Sequence, residues 1–249
     1  MSSARSTQAV EAVLLWDIDG TLLTTARAGI VAVEDAAREV LGCSPDFSSL
    51  HTAGLTDAQV AALAIRECGG VPTADRVATF LRSYERHLPE RLHLRRGAVL
   101  PGVLEALRHF SDRDDVASLL LTGNTEAGAR AKLSHYGLLG YFDAGAFCVD
   151  SGDRASIAWR AHGLAQERFG HDLPNERLFV IGDTPRDVEC GNAIGARTVA
   201  VASGPVGSEE LGACDPWVLL DALPPPDRFE ELLGLGHPDG TTPASDPSG

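Results

Sequence analysis

Leu14-Leu15-Trp16-Asp17-Ile18-Asp19-Gly20-Thr21 places two carboxylates, one residue apart, directly behind an apolar run of strand length. In a parallel sheet the carboxyl ends of the strands form the ligand-binding edge. Alternation along an extended chain turns Asp17 and Asp19 to the same side. Two acids so placed repel each other unless they share a cation. A hard divalent ion such as Mg²⁺, which takes oxygen ligands and keeps waters, fits that need. Gly20 permits a sharp exit from the strand, and Thr21 can donate a hydrogen bond nearby. Taken alone, the segment also reads as an Asp-Gly turn with an N-cap aspartate.

Outward from this octapeptide, strand-like apolar runs recur at 13–16, 117–121, 146–149, 178–181, 198–201 and 217–220. Between the later runs lie amphipathic stretches of helix length at 125–136, 154–169 and 185–194. This alternation predicts an α/β fold, a parallel sheet with helices on both faces. About a hundred residues separate the first strand from the second, and they carry helical patterns only, at 26–41, 57–68 and 74–92. The simplest account is an inserted all-helical cap domain at 24–95, inside a core made of 12–23 and 96–235. Pro101 is expected to open the return helix at 102–110, where proline suits a first turn. Residues 1–11 and 236–249 are expected to be disordered tails, the latter rich in Pro, Gly, Ser and Thr.

The 249 residues, 44% of them hydrophobic, suffice for one large domain or a core with a smaller insertion. A formal charge of -14 argues against a nucleic-acid partner, and an anionic small substrate would need a cation to help it in. The longest apolar runs are strand-sized, and no signal-length apolar stretch precedes the first strand, so no membrane partner and a cytoplasmic location are expected. Cys43, Cys68, Cys148, Cys190 and Cys214 are scattered without metal-ligand spacing; reduced thiols are expected, most as small core residues. His51, His87, His93 and His109 likewise show no metal spacing and read as surface or packing residues.

Two further strand ends carry polar groups. Leu121-Thr122-Gly123-Asn124-Thr125 offers a hydroxyl, a flexible glycine and an amide at a strand-to-helix junction, suited to holding phosphate oxygens beside a helix N-terminus. Ile181-Gly182-Asp183-Thr184-Pro185-Arg186-Asp187 places Asp183 to complete a metal site with Asp17 and Asp19, and Asp187 to act through water or from behind the ligands. Either segment alone could be a helix cap. Three such segments at the ends of three strands of one sheet are hard to explain by capping.

These residues resemble the haloacid dehalogenase superfamily, whose pattern is DxD at the first strand, Thr or Ser at the second, a basic residue later and an acidic motif at the fourth. The resemblance spans nearly the whole chain apart from its two ends. It implies a Rossmann-like core with a helical C1-type cap inserted after the first strand, in a phosphoglycolate-phosphatase-like hydrolase. It also implies that Asp17 attacks phosphorus while Asp19 protonates the leaving group and then activates water. Dehalogenases of the family lack the second aspartate, so Asp19 favours phosphoryl transfer over carbon–halogen chemistry. The family usually places a lysine before the fourth strand, and this chain has none there. Arg154 stands at about that place. Lys132, the only lysine of the chain, lies on the helix after Thr122-Gly123-Asn124, where side chains lean back toward the helix N-terminus. Lys132 is favoured to balance charge on Asp17 and the phosphate, with Arg154 second, a point charge differing from a fork.

The insertion is expected to carry specificity. Gly54-Leu55-Thr56-Asp57 looks like a segment that some helical-cap phosphatases place over the active site; Thr56 is then a substrate contact, or else simply an N-cap. Arg27, close after the hinge, reaches substrate or a carboxylate of the cap. The expected activity is Mg²⁺-dependent hydrolysis of a small phosphorylated metabolite, phosphoglycolate-like or a sugar phosphate, through an aspartyl-phosphate. A β-phosphoglucomutase-like phosphomutase shares both aspartates and the cap. A non-enzymatic binding protein on the same fold is opposed by the intact Asp17, Asp19 and Asp183. Phosphonate cleavage through an imine is disfavoured because 24–95 contains no lysine. Monomer and homodimer both stay open.

Overall fold

A computed structural model describes residues 10–47, 52–149, 153–170 and 172–236. The chain opens with β1 (Ala12–Trp16) and β2 (Leu23–Thr24), and then three helices, α1 (Ala28–Leu41), α2 (Asp57–Glu67) and α3 (Ala74–Leu94). It returns through β3 (Ala98–Val99), α4 (Val103–Ser111), β4 (Val116–Leu121), α5 (Glu126–His135), β5 (Gly145–Ala146) and α6 (Arg154–Phe169). The last elements are β6 (Leu178–Gly182), α7 (Pro185–Ala193), β7 (Arg197–Val201), α8 (Ser208–Gly212), β8 (Val218–Leu220) and α9 (Pro226–Leu233).

Six of the strands form one parallel sheet in the order β5-β4-β1-β6-β7-β8. The central strand, AVLLW, is buried on both faces, which is why it reads as a continuous apolar run rather than an alternation. Its side chains still alternate between two cores. Val13 and Leu15 join a cluster with Leu119, Leu121 and Val180 under α6 and α7. Leu14 and Trp16 join Leu120, Phe179 and Ile181 under α4, α5 and α9. On that second face Phe229 meets Trp16 edge-on at 6.2 Å and Phe110 at 5.8 Å, which pins the last helix to the sheet. A buried ring in such a place is worth about 3–5 kcal/mol against alanine.

The three helices α1–α3 fall in the chain between β2 and β3, which pair as an antiparallel ribbon through Leu23 with Val99 and Thr24 with Ala98. That ribbon was not expected; two-residue strands are too short to show a period. β5 is likewise shorter than the run 146–149 suggested. Pro101 sits just ahead of α4 rather than in its first turn, because Gly102 takes the N-cap at φ 78. The expectation of reduced thiols is corrected at one pair. The end of α2 returns to the end of α1, and Cys43 and Cys68 form a disulfide with their Cα atoms 6.0 Å apart. Cys148 and Cys190 are buried, as expected of small core residues. His51 and the outer parts of both tails lie outside the described residues. Among the described residues no helix is long and apolar enough to cross a membrane.

α1 and α3 pack closely because Ala28, Ala32, Ala36 and Ala37 present small side chains to Phe80, Tyr84 and Leu88. The outer seam of this pair is polar. Asp35 accepts from Arg38 at 2.6 Å and from Arg91, while Glu39 accepts from Arg86 at 2.7 Å and Ser83 at 2.9 Å and lies 2.8 Å from His87. These donors hold Glu39 down to about 2, and at Asp35 the Arg91 and Arg38 bonds outweigh burial and lower the carboxyl as well. A depressed carboxyl stabilises the fold above its unfolded value and loses that contribution as pH falls toward its folded value. The α1–α3 seam is therefore expected to weaken between pH 4.5 and about 2. Thermal unfolding against pH should show a shallower acid limb in Glu39→Gln, with a difference that shrinks in high salt because the pair is exposed.

Candidate active site

Trp16 is level with Leu120 on one side and Ile181 on the other, so three chains leave the sheet at one height. Asp17 N donates to Ile181 O at 3.0 Å and continues the ladder one step past the strand. Asp183 comes directly after β6, and Pro185 at the first position of α7 starts a helix capped reciprocally by Thr184 and Asp187. Asp17, Asp183 and Asp187 are buried, and each offers an oxygen within 4.8 Å of the other two. Arg154, in the first turn of α6, bonds Asp187 Oδ1 and brings Nη2 to 3.4 Å from Asp17 Oδ1. Asp187 Oδ2 accepts from Thr184 N at 3.0 Å and Thr184 Oγ1 at 2.7 Å, and Asp183 Oδ1 accepts from Thr21 Oγ1 at 3.2 Å.

Two buried oxygens of this cluster, Asp17 Oδ1 and Asp183 Oδ2, accept no hydrogen bond. Burial pushes Asp17 up to about 6, with Arg154 opposing and Asp187 and Asp19 adding to it. Burial, Asp187 and Asp17 push Asp183 up to about 9. Such a cluster of hard oxygens, short of positive charge, suits a divalent cation. Gly20 makes it compact: its φ is 84, and a Cβ there would stand 2.2 Å from Asp183 Oδ2.

A second group faces the same edge. Lys132, two turns into α5, leans back toward the helix N-terminus as expected and is buried. Its Nζ donates to Asp19 Oδ2 at 2.5 Å and to Asn124 Oδ1. Asn124 Nδ2 donates in turn to Asp19 Oδ2 and to Thr122 Oγ1, both at 2.9 Å. Burial works against the ammonium, but Asp19 and then Asp57 more than offset it, and its pKa lies above the ordinary lysine value. Of the two cations weighed for Asp17, Arg154 is the one beside it; Lys132 serves Asp19. The Asp19 carboxylate, expected among the metal ligands, is turned to Lys132 and Asn124, and Asp187 stands with Asp17 and Asp183 in its place.

Both groups open into one cavity of about 450 Å³. Asp17, Asp19, Gly123, Asn124, Lys132, Arg154 and Asp183 line its floor, while Ile30, Val33, Val60 and Tyr84 of α1–α3 form an apolar wall with Arg27 among them. Thr122 is buried behind Asn124 and orients its amide. Thr56 is buried too, and its hydroxyl accepts from Gln59 N at 3.2 Å as the N-cap of α2. Sequence reasoning passed over Ser203, Gly204 and Pro205, which line the cavity beyond the carboxyl end of β7 and could have been found by treating that strand exit like the other three. It also gave no separate role to Asp57, whose carboxylate accepts from Thr125 N at 2.7 Å.

A sequence profile of the haloacid dehalogenase-like hydrolases matches residues 14–192. The chain is 27% identical over 230 residues to the probable phosphatase IndB of Dickeya dadantii (strain 3937), an alignment that spans 90% of this chain and 93% of that one. Its fold is shared with a predicted phosphoglycolate phosphatase from Haemophilus somnus 129pt, at a TM-score of 0.67 and 15% identity over 91% of this chain and 99% of the other. It is shared as well with CbbY from Rhodobacter sphaeroides in complex with phosphate, at a TM-score of 0.68 and 18% identity over 93% and 98% of the two chains.

Two outcomes are expected at the acidic cluster. Gly20→Ala should lower the unfolding free energy by about 1–3 kcal/mol in a denaturant titration, since the new methyl meets both a left-handed backbone and a fixed carboxylate. A carboxyl whose folded pKa is raised costs stability as pH climbs from its unfolded to its folded value. In chelator, the protein should therefore lose stability between pH 3.8 and about 9, and Asp183→Asn should flatten that slope.

Proposed function

Because the chain belongs to the haloacid dehalogenase-like hydrolase family, we propose that it is a Mg²⁺-dependent phosphomonoesterase acting on a small phosphorylated metabolite. The observation that carries this reading is the meeting, at one sheet edge, of a buried carboxylate cluster with two unbonded oxygens and a separate Asp19–Lys132–Asn124 group facing the same cavity. Binding alone asks for one anion site. Two aspartates in such different surroundings suit two chemical roles.

Asp17 is the nucleophile. Its carboxylate forms the bond to phosphorus while the ester P–O bond breaks, and the departing oxygen takes a proton from Asp19. In the second half Asp19 takes a proton from water, the water oxygen attacks phosphorus, and the P–O bond to Asp17 breaks to release inorganic phosphate. General acid–base help of this kind is worth about 10²–10⁴ in rate. Lys132 keeps the Asp19 carboxylate on its target, and Asn124 and Gly123 meet the phosphoryl oxygens, with Thr122 behind them. Asp17, Asp183 and Asp187 would hold the Mg²⁺, which supplies positive charge for the phosphoryl group and its nucleophile. Arg154 offsets what negative charge remains between Asp17 and Asp187.

Residues 24–95 act as a cap that closes over the bound ester and excludes bulk water. The compartment proposed is the cytoplasm, where small phosphorylated metabolites are held.

Phosphate release from a panel of small phosphate esters, with and without Mg²⁺, tests the reading. Release is expected only with the metal, is lost in Asp17→Asn, and falls by about 10²–10⁴ in Asp19→Ala. Phosphate retained on the protein and passed between sugar hydroxyls in the presence of a bisphosphate primer would replace the phosphatase by a mutase. Release that survives Asp17→Asn would overturn the aspartyl-phosphate route.

A further inference from the structure

Between the helical segment and the sheet core, residues 54–59 meet loop 122–125 and the start of α7. Asp57 N donates to Gly123 O at 2.8 Å, and Asp57 Oδ2 accepts from Thr125 N at 2.7 Å. The two bonds run in opposite directions across the same gap, so residue 57 is clamped to core main chain through both its backbone and its side chain. The surfaces around it touch. A methyl at Gly123 would stand 3.1 Å from Leu55 O and Thr56 Cα, and one at Gly54, whose φ is 69, would stand 2.8 Å from Arg186 Cδ. Two weaker contacts flank the clamp, Arg186 Nη1 to Gln59 Oε1 at 3.4 Å and Arg154 Nη1 to Gly54 O at 3.5 Å.

Asp57 is the one acid that α1–α3 bring to the cavity among the described residues. An acid in the first turn of α2 can stabilise its own helix from solvent, and needs no burial to do so. This side chain instead spans to another element. It accepts from the N-cap residue of α5, the helix that carries Lys132, and Lys132 lies in the field of Asp19 and of Asp57.

We infer that Asp57 is a positioning residue: its carboxylate latches the helical segment onto the N-terminus of α5, holding the apolar wall over the cavity floor and Lys132 against Asp19. With the latch made, the Thr125 N–H has this carboxylate as its partner, and the apolar wall of Ile30, Val33 and Val60 stands over the phosphoryl floor. With the latch released, Thr125 N–H turns to water, and the electrostatics of the floor weaken as solvent enters. The inference rests on the phosphatase reading for its kinetic arm only.

The test compares wild type, Asp57→Ala and Asp57→Asn as full chains, reading amide hydrogen exchange at Thr125 and at residues 54–57, together with kcat and KM for para-nitrophenyl phosphate in Mg²⁺. Alanine removes the acceptor and should speed exchange of the Thr125 amide and lower kcat/KM about ten- to a hundredfold, the range for a lost charge-assisted bond. Asparagine keeps an oxygen for Thr125 N–H and should restore most of both. A residue that served only α2 would leave the Thr125 amide of α5 unmoved. Should alanine prevent folding, Asp57→Ser, too short to reach Thr125, takes its place. Wild-type protection of Thr125 in the alanine or serine variant, or asparagine no better than alanine, overturns the latch. If wild type hydrolyses no ester, the phosphatase reading falls by itself and the exchange measurement still decides the latch.

Discussion

Four carboxylates crowd one edge of the sheet, and their mutual repulsion is the constraint around which the rest is arranged. Asp17, Asp183 and Asp187 lie within reach of one ion, and Asp19 stands two residues after Asp17. Burying like charges together costs several kcal/mol unless cations or protons answer them. The chain answers by placing its first α6 residue, Arg154, against Asp17 and Asp187, and its only lysine against Asp19. Among the described residues it leaves Asp183 with one hydroxyl donor, and its carboxyl is pushed up to about 9. A shortage of positive charge confined to one spot is a binding property, because an entering cation relieves it without moving the scaffold.

The division between the two cations comes from their shapes. Arg154 is a planar fork and can address two carboxylates at once, so it fits between Asp17 and Asp187 at the start of a helix that is itself capped by Asp153. Lys132 is a point charge on a flexible stem, and it converges with the Asn124 amide on a single carboxylate oxygen. In the sequence the two read as alternatives for one task; in the fold they stand beside different carboxylates. Their separation keeps the proposed nucleophile and the proposed acid–base group in different environments, although only Ile18 stands between them in the chain.

What could be read from the sequence was whatever the strand ends fix locally. Asp17, Asp19 and Asp183 stand at strand exits, and a parallel sheet brings such exits to one edge whatever the details of packing. The buried strands were legible because both of their faces are apolar. Elements set by tertiary approach were not. The β2–β3 ribbon pairs residues 23 and 24 with 98 and 99 across three helices, and no period announces it. Cys43 and Cys68 meet only because α2 folds back to the end of α1. Thr56 read in the sequence as a cap or a substrate contact; in the fold it is buried and its hydroxyl accepts from Gln59 N in the capping box of α2. Asp57 reads as an ordinary first-turn acid until the position of Thr125 is known.

The cavity joins two kinds of surface with different freedom to vary. Its floor is made by strand exits, where moving one carboxylate disturbs the charge balance of the others, so its chemistry is fixed as a unit. Its wall is made by α1 and α2, whose residues Ile30, Val33 and Val60 face the cavity without bonding to the floor. Between the two lies Arg27, at φ 68 beside Ala26 at φ 47, a left-handed pair at the entrance to α1. The other arginines along the α1–α3 seam, Arg38, Arg86 and Arg91, are each paired with an acid of the same seam, whereas Arg27 lies on the cavity. On the proposed function a phosphoryl group would meet the same floor whatever it is attached to, so discrimination among esters would fall to the wall and to Arg27, its one cation among the described residues. On the proposed reading the helical segment would choose the ester, while the sheet edge would act on its phosphate.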